Sequence, residues 1–312
     1  MSQSNVQTKS AFIAVVGRPN VGKSSLVNRA VGQKVAIVSN KPQTTRNKIL
    51  GVCNRGAEQF VFVDTPGFHK ARNELGKQMI RAVGSGLSDV EAAVLVVDCA
   101  PRFKLNANAL PPAELELMKE LARRQLPTVL ALNKIDLLPQ KDALLPIILA
   151  YTAAFSFAAV VPVSAKNGSG LEELLTELSR FAKNSVHYFT GDVVTDQPDK
   201  TMIAEIIREK LLRLLSNEVP HGIAVEIEQF YERDNAAGEP VLEVGATIYC
   251  EKESHKGIII GKGGSMLKKI GSHARQDIER FFGCKTNLQL WVKVKEDWRN
   301  RAGAIHSLGL DQ

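Results

Sequence analysis

Short apolar runs recur along the first 185 residues, and each of them stops at turn-forming or polar residues. Continuous apolar runs of this length are typical of strands that are buried on both faces of a parallel sheet. Residues 24–31 and 171–182 have the 3.6-residue apolar rhythm of helices that cover such a sheet. Residues 1–185 therefore predict an α/β domain whose mostly parallel sheet carries helices on both faces. The runs are FIAVVG, FVFVDTPG, AAVLVVDCA, TVLALNKID and AAVVPVSA.

A further apolar run, KILGV at residues 48–52, is followed by QFVFV after the short connection CNRGAE. Parallel neighbours need a crossover of about a dozen residues or more, whereas antiparallel neighbours need only a turn. The sequence therefore predicts an antiparallel hairpin at the edge of this sheet.

The pattern changes after residue 185. Residues 186–200 have mixed polarity and no clear period, which is typical of a linker. Residues 201–312 then follow the order helix, strand, strand, helix, glycine-rich turn, helix and strand. The alternation of apolar and polar residues in AVEIEQF and LQLWVKV predicts half-exposed strands of an antiparallel sheet. We therefore expect an α+β domain over residues 201–312.

Charge and cysteine content restrict the classes of function. The net charge of +7 permits a polyanionic partner, and the stretch from Lys256 to Lys269 concentrates lysines without an acidic residue. The four cysteines lie far apart and predict neither a disulfide framework nor a zinc site. No segment approaches the roughly 20 apolar residues that span a bilayer. The N-terminus does not resemble a signal peptide, so we expect a cytoplasmic protein.

The segment GRPNVGKSS, residues 17–25, follows the first apolar run and precedes a helix-like stretch. It fits the pattern G-x-x-x-x-G-K-[ST], in which backbone N–H groups and the helix N-terminus bind phosphate oxygens. We expect Lys23 to reach the β and γ phosphates of a nucleotide and the Ser24 hydroxyl to bind Mg²⁺. The candidate nucleotide-binding residues of this loop are Gly17, Arg18, Pro19, Asn20, Val21, Gly22, Lys23, Ser24 and Ser25.

The motif DTPG, residues 64–67, ends another of the buried runs. A carboxylate at a strand end is placed to hold the same Mg²⁺ through a water, and the amide of the glycine is placed to meet the γ phosphate. The candidate residues of this motif are Asp64, Thr65, Pro66 and Gly67.

Two further motifs, NKID at residues 133–136 and SAK at residues 164–166, end the last two runs. The Asp136 carboxylate can accept from two donors on the Watson–Crick edge of guanine, which adenine does not present, so we expect guanine selectivity. Asn133 is expected to contact the base and brace the loop, and the stem of Lys134 to pack over the ring. The Ala165 amide is expected to donate to guanine O6. The candidate residues are Asn133, Lys134, Asp136, Ser164, Ala165 and Lys166.

Together with QTTR at residues 43–46, these motifs resemble the five nucleotide motifs of translation-factor-related GTPases. Asn20 and Phe68 make the chain similar to the Era-like family, from about residue 11 to the C-terminus. The resemblance implies a GTPase that binds GTP or GDP with Mg²⁺. It implies that Thr45 closes on the metal when the γ phosphate is present, with Thr44 as the alternative. The metal-binding residues implied are Ser24, Thr45 and Asp64.

Phe68 stands where many GTPases carry the glutamine that orients the attacking water. Its side chain cannot orient a water, so the resemblance implies slow hydrolysis that does not depend on a glutamine. The water would be held by backbone groups of the first switch, which is the loop around Thr45. In related GTPases the asparagine at position 20 helps to hold a potassium ion against the phosphates. The alternative is that Asn20 suits a tight turn of the loop. The catalytic residues implied are Asn20, Lys23, Thr45 and Gly67.

The segment IIIGKGGSMLKKIG, residues 258–271, places a G-x-x-G turn between a short helix and a longer one. Glycines let a backbone approach sugar-phosphate closely, and lysines add charge. With the element order around it, this segment resembles a type II KH domain, which binds unpaired RNA; the alternative is a helix–helix turn without RNA contact. We expect Ile259, Ile260 and Leu267 to line a cleft for bases. The candidate RNA-binding residues are Ile260, Gly261, Lys262, Gly263, Gly264, Lys268 and Lys269.

The resemblance also implies partners. It implies a monomeric switch that binds single-stranded 16S ribosomal RNA near its 3′ end and acts in assembly of the small (30S) ribosomal subunit. It further implies peripheral association with the cytoplasmic face of the inner membrane. Three other functions fit parts of the sequence: a passive RNA-binding module, an ATP-dependent RNA-remodelling enzyme and a tRNA-modifying GTPase. The NKID motif argues against the second, and we identify neither a modification domain nor a catalytic cysteine for the third.

Overall fold

The computed structural model of the chain describes residues 7–68, 73–100, 110–215 and 219–310. It divides into two compact units, each with its own sheet. The described residues of the first unit lie within 7–36, 45–68 and 79–196. Those of the second unit lie within 37–44, 73–78 and 197–310.

Parallel strands dominate the sheet of the first unit. Its strands are β1 (Lys9–Val16), β2 (Ile49–Arg55), β3 (Glu58–Asp64), β4 (Ala92–Asp98), β5 (Thr128–Asn133), β6 (Ala159–Val163) and β7 (Lys183–Asn184). Their order is β2-β3-β1-β4-β5-β6, with β7 beside β1. The pairs from β3 to β6 are parallel, and β7 is antiparallel to β1. Strand β2 is antiparallel to β3, which confirms the predicted edge hairpin.

Helices pack against both faces of this sheet. In β4, Val94 and Val96 face the core that contains residues of α1 and α5, whereas Leu95 and Val97 face the core that contains residues of α3. Successive side chains of a strand point to opposite faces, so a strand covered on both sides needs apolar residues throughout. The continuous apolar runs of the sequence have this cause. The helices are α1 (Lys23–Val31), α3 (Pro112–Arg123), α4 (Leu144–Ala154), α5 (Leu171–Ser179) and, from residue 79 onward, α2 (Glu74–Gly86).

The second unit combines one sheet with helices against it. Its elements are α6 (Asp199–Leu214), β8 (Ala224–Asp234), β9 (Pro240–Cys250), α7 (Glu253–Ile260), α8 (Ser265–Phe282), β10 (Lys285–Val294) and α9 (Ala302–Ser307). The core places Ile270, Ala274 and Ile278 of α8 with Ile203 and Ile207 of α6. In the described part of the chain, no helix combines the length and the apolar character needed to cross a membrane.

The sheet of the second unit is mixed, so the prediction that it is antiparallel was wrong for one of its pairs. Strands β8 and β9 are antiparallel, but β9 and β10 are parallel. The chain between β9 and β10 passes through α7 and α8, and this crossover returns it in the starting direction. Alternation of apolar and polar residues has the same period in both arrangements, so the sequence pattern did not distinguish them.

Residues 186–196, which fall in the segment expected to be a linker, are hydrogen-bonded within the first unit. The Val52 amide donates to Val194 O at 2.9 Å, and Thr195 Oγ1 donates to Leu50 O at 2.8 Å. Gln59 Nε2 donates to Phe189 O at 2.9 Å. This segment therefore extends the hydrogen bonding of the sheet edge, and the domain boundaries drawn from the sequence stay a prediction.

Candidate functional site

The candidate phosphate loop, residues 17–25, connects the end of β1 to the start of α1. Gly17 and Gly22 have φ values of 151° and 103°. A Cβ atom at Gly17 would lie 2.3 Å from Val96 O, and one at Gly22 would lie 2.2 Å from Asn133 Nδ2. Only glycine fits both the dihedral angles and the close approaches. The loop is thereby fixed against β4 and β5, with its backbone at the N-terminus of α1.

Lys23 is buried and its side chain folds back over the loop. Its Nζ atom donates to Gly17 O at 3.1 Å and to Arg18 O at 3.0 Å. Burial lowers the pKa of Lys23 to about 8, although the nearby Asp64 carboxylate acts in the opposite direction. Anionic phosphate oxygens are better partners for an ammonium than neutral carbonyls. Exchange of the two carbonyls for phosphates would therefore stabilise the charged form of Lys23.

The three groups predicted to bind Mg²⁺ meet at one point. Ser24 Oγ donates to Asp64 Oδ2 at 2.6 Å and lies 2.8 Å from Thr45 Oγ1. The other carboxylate oxygen, Asp64 Oδ1, is buried and has no hydrogen-bond partner among the residues that the structure describes. Burial raises the pKa of Asp64 to about 6, against the effects of Lys23 and of the hydrogen bonds. Mg²⁺ is a hard cation that prefers oxygen ligands, and these three side chains supply oxygen atoms. A bound Mg²⁺ would also satisfy the buried oxygen of Asp64 that lacks a partner.

Thr44 and Thr45 point to different partners. Thr45 is buried beside Ser24, whereas Thr44 Oγ1 donates to Lys41 O at 2.7 Å and lies 2.8 Å from Ser39 Oγ. The geometry favours Thr45 over Thr44 as the metal ligand of the first switch. Its role in hydrolysis stays a prediction.

The DTPG segment lies directly against the phosphate loop. A Cβ atom at Gly67 would lie 2.7 Å from the backbone of Pro19, and the Phe68 amide donates to Gly17 O at 3.1 Å. Thr65 Oγ1 anchors the segment to Val15 O at 2.9 Å. Gly67 is thus held beside the loop, where glycine alone leaves room for the approach. The Phe68 ring packs against the core that contains residues of α3.

Asn133 joins the guanine motifs to the phosphate loop. Its Nδ2 donates to Val21 O at 2.8 Å, and its Oδ1 accepts from the amides of Lys134 and Ala165 at 2.8 and 3.0 Å. The structure therefore shows the bracing part of the role predicted for Asn133. The Ala165 amide, which we expect to donate to guanine O6, is engaged by Asn133 here. A guanine O6 would have to share this donor.

Asp136 is exposed, and a buried side chain orients it. Ser164, at the end of β6, is 1% exposed and donates from Oγ to Asp136 Oδ1 at 2.6 Å. The Asn167 amide contacts the same Oγ at 3.4 Å. The SAK motif thus supports the carboxylate of the NKID motif. This arrangement presents an acceptor with a fixed direction, as guanine recognition requires.

Asp98, which received no role from the sequence, contacts the candidate residue Lys134. Its side chain is buried at the end of β4, forms an ion pair with Lys134 Nζ and accepts from the Ala100 amide at 2.9 Å. Lys134 Nζ also donates to Asn20 O at 2.7 Å. Asp98 therefore holds the lysine whose stem is expected to cover the base. The available signal was a carboxylate that ends an apolar run, as Asp64 does.

Two arginines, the candidate Arg18 and the further residue Arg29, contribute to the scaffold of the site. Arg18 Nε bonds to the buried Glu114 of α3 at 2.5 Å. Arg29 of α1 donates to the carbonyl oxygens of Ala165 and Lys166. These contacts fix the loop to α3 and the SAK motif to α1.

In the second unit, the G-x-x-G turn joins α7 to α8. Gly261, Gly263 and Gly264 have φ values of 73°, 57° and 78°, which side chains rarely adopt. A Cβ atom at Gly261 would lie 2.7 Å from Met266 Cβ. Lys262 is exposed within this turn. The turn therefore offers backbone N–H groups and a cation at the start of an 18-residue helix.

A cavity of about 500 Å³ opens beside this turn, between α8 and β10. Its lining combines leucines with donors and cations and contains no carboxylate among the described residues. Lys268 lines it, whereas Lys269, the next candidate, does not. The contribution of β10 was not evident from the sequence, because residues 287–290 approach α8 only through the fold. The lining includes Leu267, Lys268, Arg275, Asn287, Leu288 and Leu290.

The expectation for Ile259 was wrong. This residue is 0% exposed and belongs to the core of the second unit, so it does not line the cleft. An apolar residue beside a binding turn packs in the core or lines the cleft, depending on the direction of its side chain. In the short helix α7 that direction was not evident from the sequence.

The fold and these two sites define a P-loop GTPase joined to a KH domain. Residues 12–134 match the family described as 50S ribosome-binding GTPase, and residues 218–299 match the KH domain family. GTPase Era of Clostridioides difficile (strain 630) is 46% identical over 301 residues, which cover 96% of this chain and 98% of that protein. GTPase Era of Ruminiclostridium cellulolyticum is 46% identical over 302 residues, covering 96% and 97%. The chain belongs to the GTPase Era family.

Two solved structures are similar over nearly the whole chain. One is a variant of Era from Aquifex aeolicus bound to GDP and AlF4⁻, which has 33% identity and a TM-score of 0.90. The other is Era in complex with MgGDPNP and nucleotides 1506–1542 of 16S ribosomal RNA, which has 34% identity and a TM-score of 0.89. Each match covers 98% of this chain and 100% of the other. The predicted family, fold class and GTPase activity are confirmed.

Proposed function

We propose that this protein is a GTP-driven switch that binds single-stranded RNA of the 16S 3′ region and acts in assembly of the 30S subunit. One observation carries the proposal: Ser24 Oγ lies 2.8 Å from Thr45 Oγ1 and 2.6 Å from Asp64 Oδ2. These residues come from three separate segments, so the nucleotide state can decide whether the segment that contains Thr45 is held. The 16S complex of Era supports the choice of RNA.

The proposal assigns residues to the contacts with the nucleotide. Lys23 exchanges its two carbonyl partners for phosphate oxygens, and the Gly67 amide meets the γ phosphate. Ser24, Thr45 and Asp64 would hold Mg²⁺, which neutralises charge that develops on the phosphates. The carboxylate of Asp136 accepts from the guanine edge. The other proposed nucleotide ligands are those predicted from the sequence.

Hydrolysis proceeds without a glutamine. Phe68 has no atom that can orient a water, so backbone groups of the first switch take this role and turnover is slow. Asn20 helps to hold a potassium ion in this proposal. Its φ of 65° is also a conformation that asparagine adopts more readily than most residues, which supports the turn role. GTPase rates in potassium and in sodium separate the two roles, because equal rates leave only the turn.

The turn at residues 261–264 and the adjoining cavity hold the RNA. Lys262 and the start of α8 meet sugar-phosphate, and the leucine-lined cavity takes unstacked bases. The domains are proposed as residues 1–185, a linker at 186–200 and residues 201–312. On the family resemblance alone we also propose a cytoplasmic monomer with peripheral contact to the inner membrane.

Nucleotide titration and hydrolysis assays test this function. We expect GTP to bind far more tightly than ATP, and Ser24→Ala to lose Mg²⁺-dependent hydrolysis. Equal binding of GTP and ATP would show that the guanine assignment is wrong. Hydrolysis by Ser24→Ala at the wild-type rate would contradict the proposed metal site. Absence of hydrolysis in the wild type would leave a passive RNA-binding module.

A further inference from the structure

Helix α6 contains three consecutive charged residues that are all buried. Arg208 is 2% exposed, Glu209 1% and Lys210 6%. Consecutive residues of a helix point about 100° apart, so a single apolar face does not explain this burial. Buried charges are stable only when they are paired and hydrogen-bonded. The partners of these side chains therefore indicate what α6 holds.

Glu209 holds one end of the segment Ile37–Thr44, which belongs to the same unit as α6. Its Oε1 atom accepts from the Val38 amide at 3.0 Å. Arg213, one turn further along α6, donates to Val38 O at 2.9 and 3.1 Å and to Glu209 Oε1 at 3.0 Å. Both backbone groups of Val38 are thus bonded to side chains of α6.

Arg208 holds the other end of the same segment. Its Nη2 atom donates to Thr44 O, and the guanidinium also bonds to Glu205, with Nε 2.7 Å from Oε1. The oxygen of Thr44 belongs to the peptide group that joins Thr44 to Thr45. Because a peptide group is planar and rigid, a side chain that fixes this oxygen also fixes the direction in which Thr45 leaves the segment.

Lys210 has different partners. Its Nζ atom bonds to Glu209 Oε2 at 3.0 Å and to Asp277 of α8. The Lys210–Asp277 pair connects α6 to α8. Removal of Asp277 is a control for the loss of a buried ion pair on α6 that leaves Arg208 and Glu209 in place.

We infer that Arg208 and Glu209 are positioning residues for GTP hydrolysis: they hold the segment Ile37–Thr44 by its two ends and so direct Thr45 toward Ser24 and the metal. The inference rests on the proposed role of Thr45. Both residues lie on α6 and act on Thr45 only through the segment Ile37–Thr44, which belongs to the same unit as α6. If Arg208 and Glu209 had a purely structural role, their substitution would lower the stability of the fold and weaken GDP and GTP binding equally.

The test uses the full-length protein and three single variants. Arg208→Lys keeps the charge but lacks the planar fork that bonds Thr44 O and Glu205 together. Glu209→Gln keeps an acceptor for the Val38 amide but lacks the charge that binds Arg213 and Lys210. Asp277→Asn is the control. The measurements are kcat and KM for GTP and the affinities for GDP and for a non-hydrolysable GTP analogue.

We expect Arg208→Lys to lower kcat by about tenfold and to weaken binding of the GTP analogue, while GDP affinity stays within about twofold of wild type. The reason is that, in the proposed function, Thr45 binds the metal only when a γ phosphate is present. Glu209→Gln should cause smaller decreases in kcat and in affinity for the GTP analogue. Asp277→Asn should change neither kcat nor this affinity. Equal losses of affinity for GDP and for the GTP analogue would overturn the inference, as would a wild-type kcat in Arg208→Lys.

A double variant ties the effect to Thr45. If Arg208 acts through Thr45, adding Arg208→Lys to Thr45→Ala causes no further loss of kcat. Additive losses would overturn the inference while leaving the role of Thr45 intact. Wild-type hydrolysis by Thr45→Ala alone would overturn both the inference and the proposed role of Thr45.

Discussion

The side-chain amide of Asn133 donates a hydrogen bond of 2.8 Å to the backbone oxygen of Val21, 112 residues earlier in the chain. The oxygen of the same side chain accepts from the amides of Lys134 and Ala165. One buried residue therefore ties the phosphate loop to both guanine motifs. In the proposed function, recognition of the base and recognition of the phosphates therefore depend on a common support.

Asn133→Ala should weaken both folding and nucleotide binding. The variant leaves the buried amide of Ala165 without its partner, so we expect the free energy of unfolding to fall by about 2–4 kcal/mol. GDP and GTP should both bind at least about tenfold more weakly. Chemical denaturation and nucleotide titration measure the two effects. Asn167→Ala, which removes an acceptor from the exposed Ser169 amide, is the matched control and should change stability by less than about 0.5 kcal/mol.

The raised pKa of Asp64 predicts a pH dependence of stability. Burial raises this pKa from 3.8 to about 6, so the stability that Asp64 contributes is complete below about pH 4 and is lost as the pH rises through about 6. Asp64→Asn cannot ionise and should escape this loss. Without nucleotide and with Mg²⁺ chelated, the free energy of unfolding of the variant minus that of wild type should therefore increase by about 3 kcal/mol between about pH 4 and pH 7. A constant difference would show that Asp64 ionises normally.

Gly261→Asp should separate RNA binding from GTP binding. Gly261 has φ 73°, and a Cβ atom there would lie 2.7 Å from Met266 Cβ, so the substitution strains the turn. It also adds a negative charge where the RNA sugar-phosphate is proposed to bind. We expect loss of most affinity for RNA that spans nucleotides 1506–1542 of 16S ribosomal RNA, with GTP affinity unchanged.

Gly238→Asp provides the control for that experiment. Gly238 also has a positive φ, of 77°, but it lies in the turn between β8 and β9. A Cβ atom at this position would meet no other atom of the described residues within 4 Å. The variant should keep RNA affinity. Equal retention of RNA by both variants would contradict the KH assignment.

Two adjacent lysines should differ in their contributions to RNA binding. Lys268 lines the cavity between α8 and β10, whereas Lys269 does not. Lys268→Ala should weaken RNA binding and reduce the slope of log affinity against log salt by about 0.7, as expected for one lost phosphate contact on a single strand. Lys269→Ala should leave the slope nearly unchanged. A larger effect of Lys269→Ala would place the RNA elsewhere on α8.

Local sequence predicted the parts of the sites that depend on short stretches of chain. The pattern from Gly17 to Ser24 requires a strand, a glycine turn and a helix in succession, and the structure has them. The position of Asp64 and of Asn133 at strand ends followed from the apolar runs before them. Because the carboxyl ends of parallel strands share one edge of a sheet, these motifs were expected to meet.

Contacts between distant segments were not evident from the sequence. Asp98 received no role because its partner, Lys134, is 36 residues away, and Arg208 received none because Thr44 is 164 residues away. The direction of β10 was also wrongly predicted, since strand periodicity is the same for parallel and antiparallel pairs. These features depend on how elements pack.

The sequence by itself determined the two-part architecture, the guanine nucleotide motifs and the glycine turn, because each follows from backbone preferences and side-chain spacing within a few residues. Only the tertiary structure decided that Asn133 bonds to the backbone oxygen of Val21, that Ile259 faces the core and that α6 holds the segment before Thr45. Hydrogen bonds and burial act between atoms a few ångströms apart, and only the folded chain brings residues more than 100 positions apart within that range.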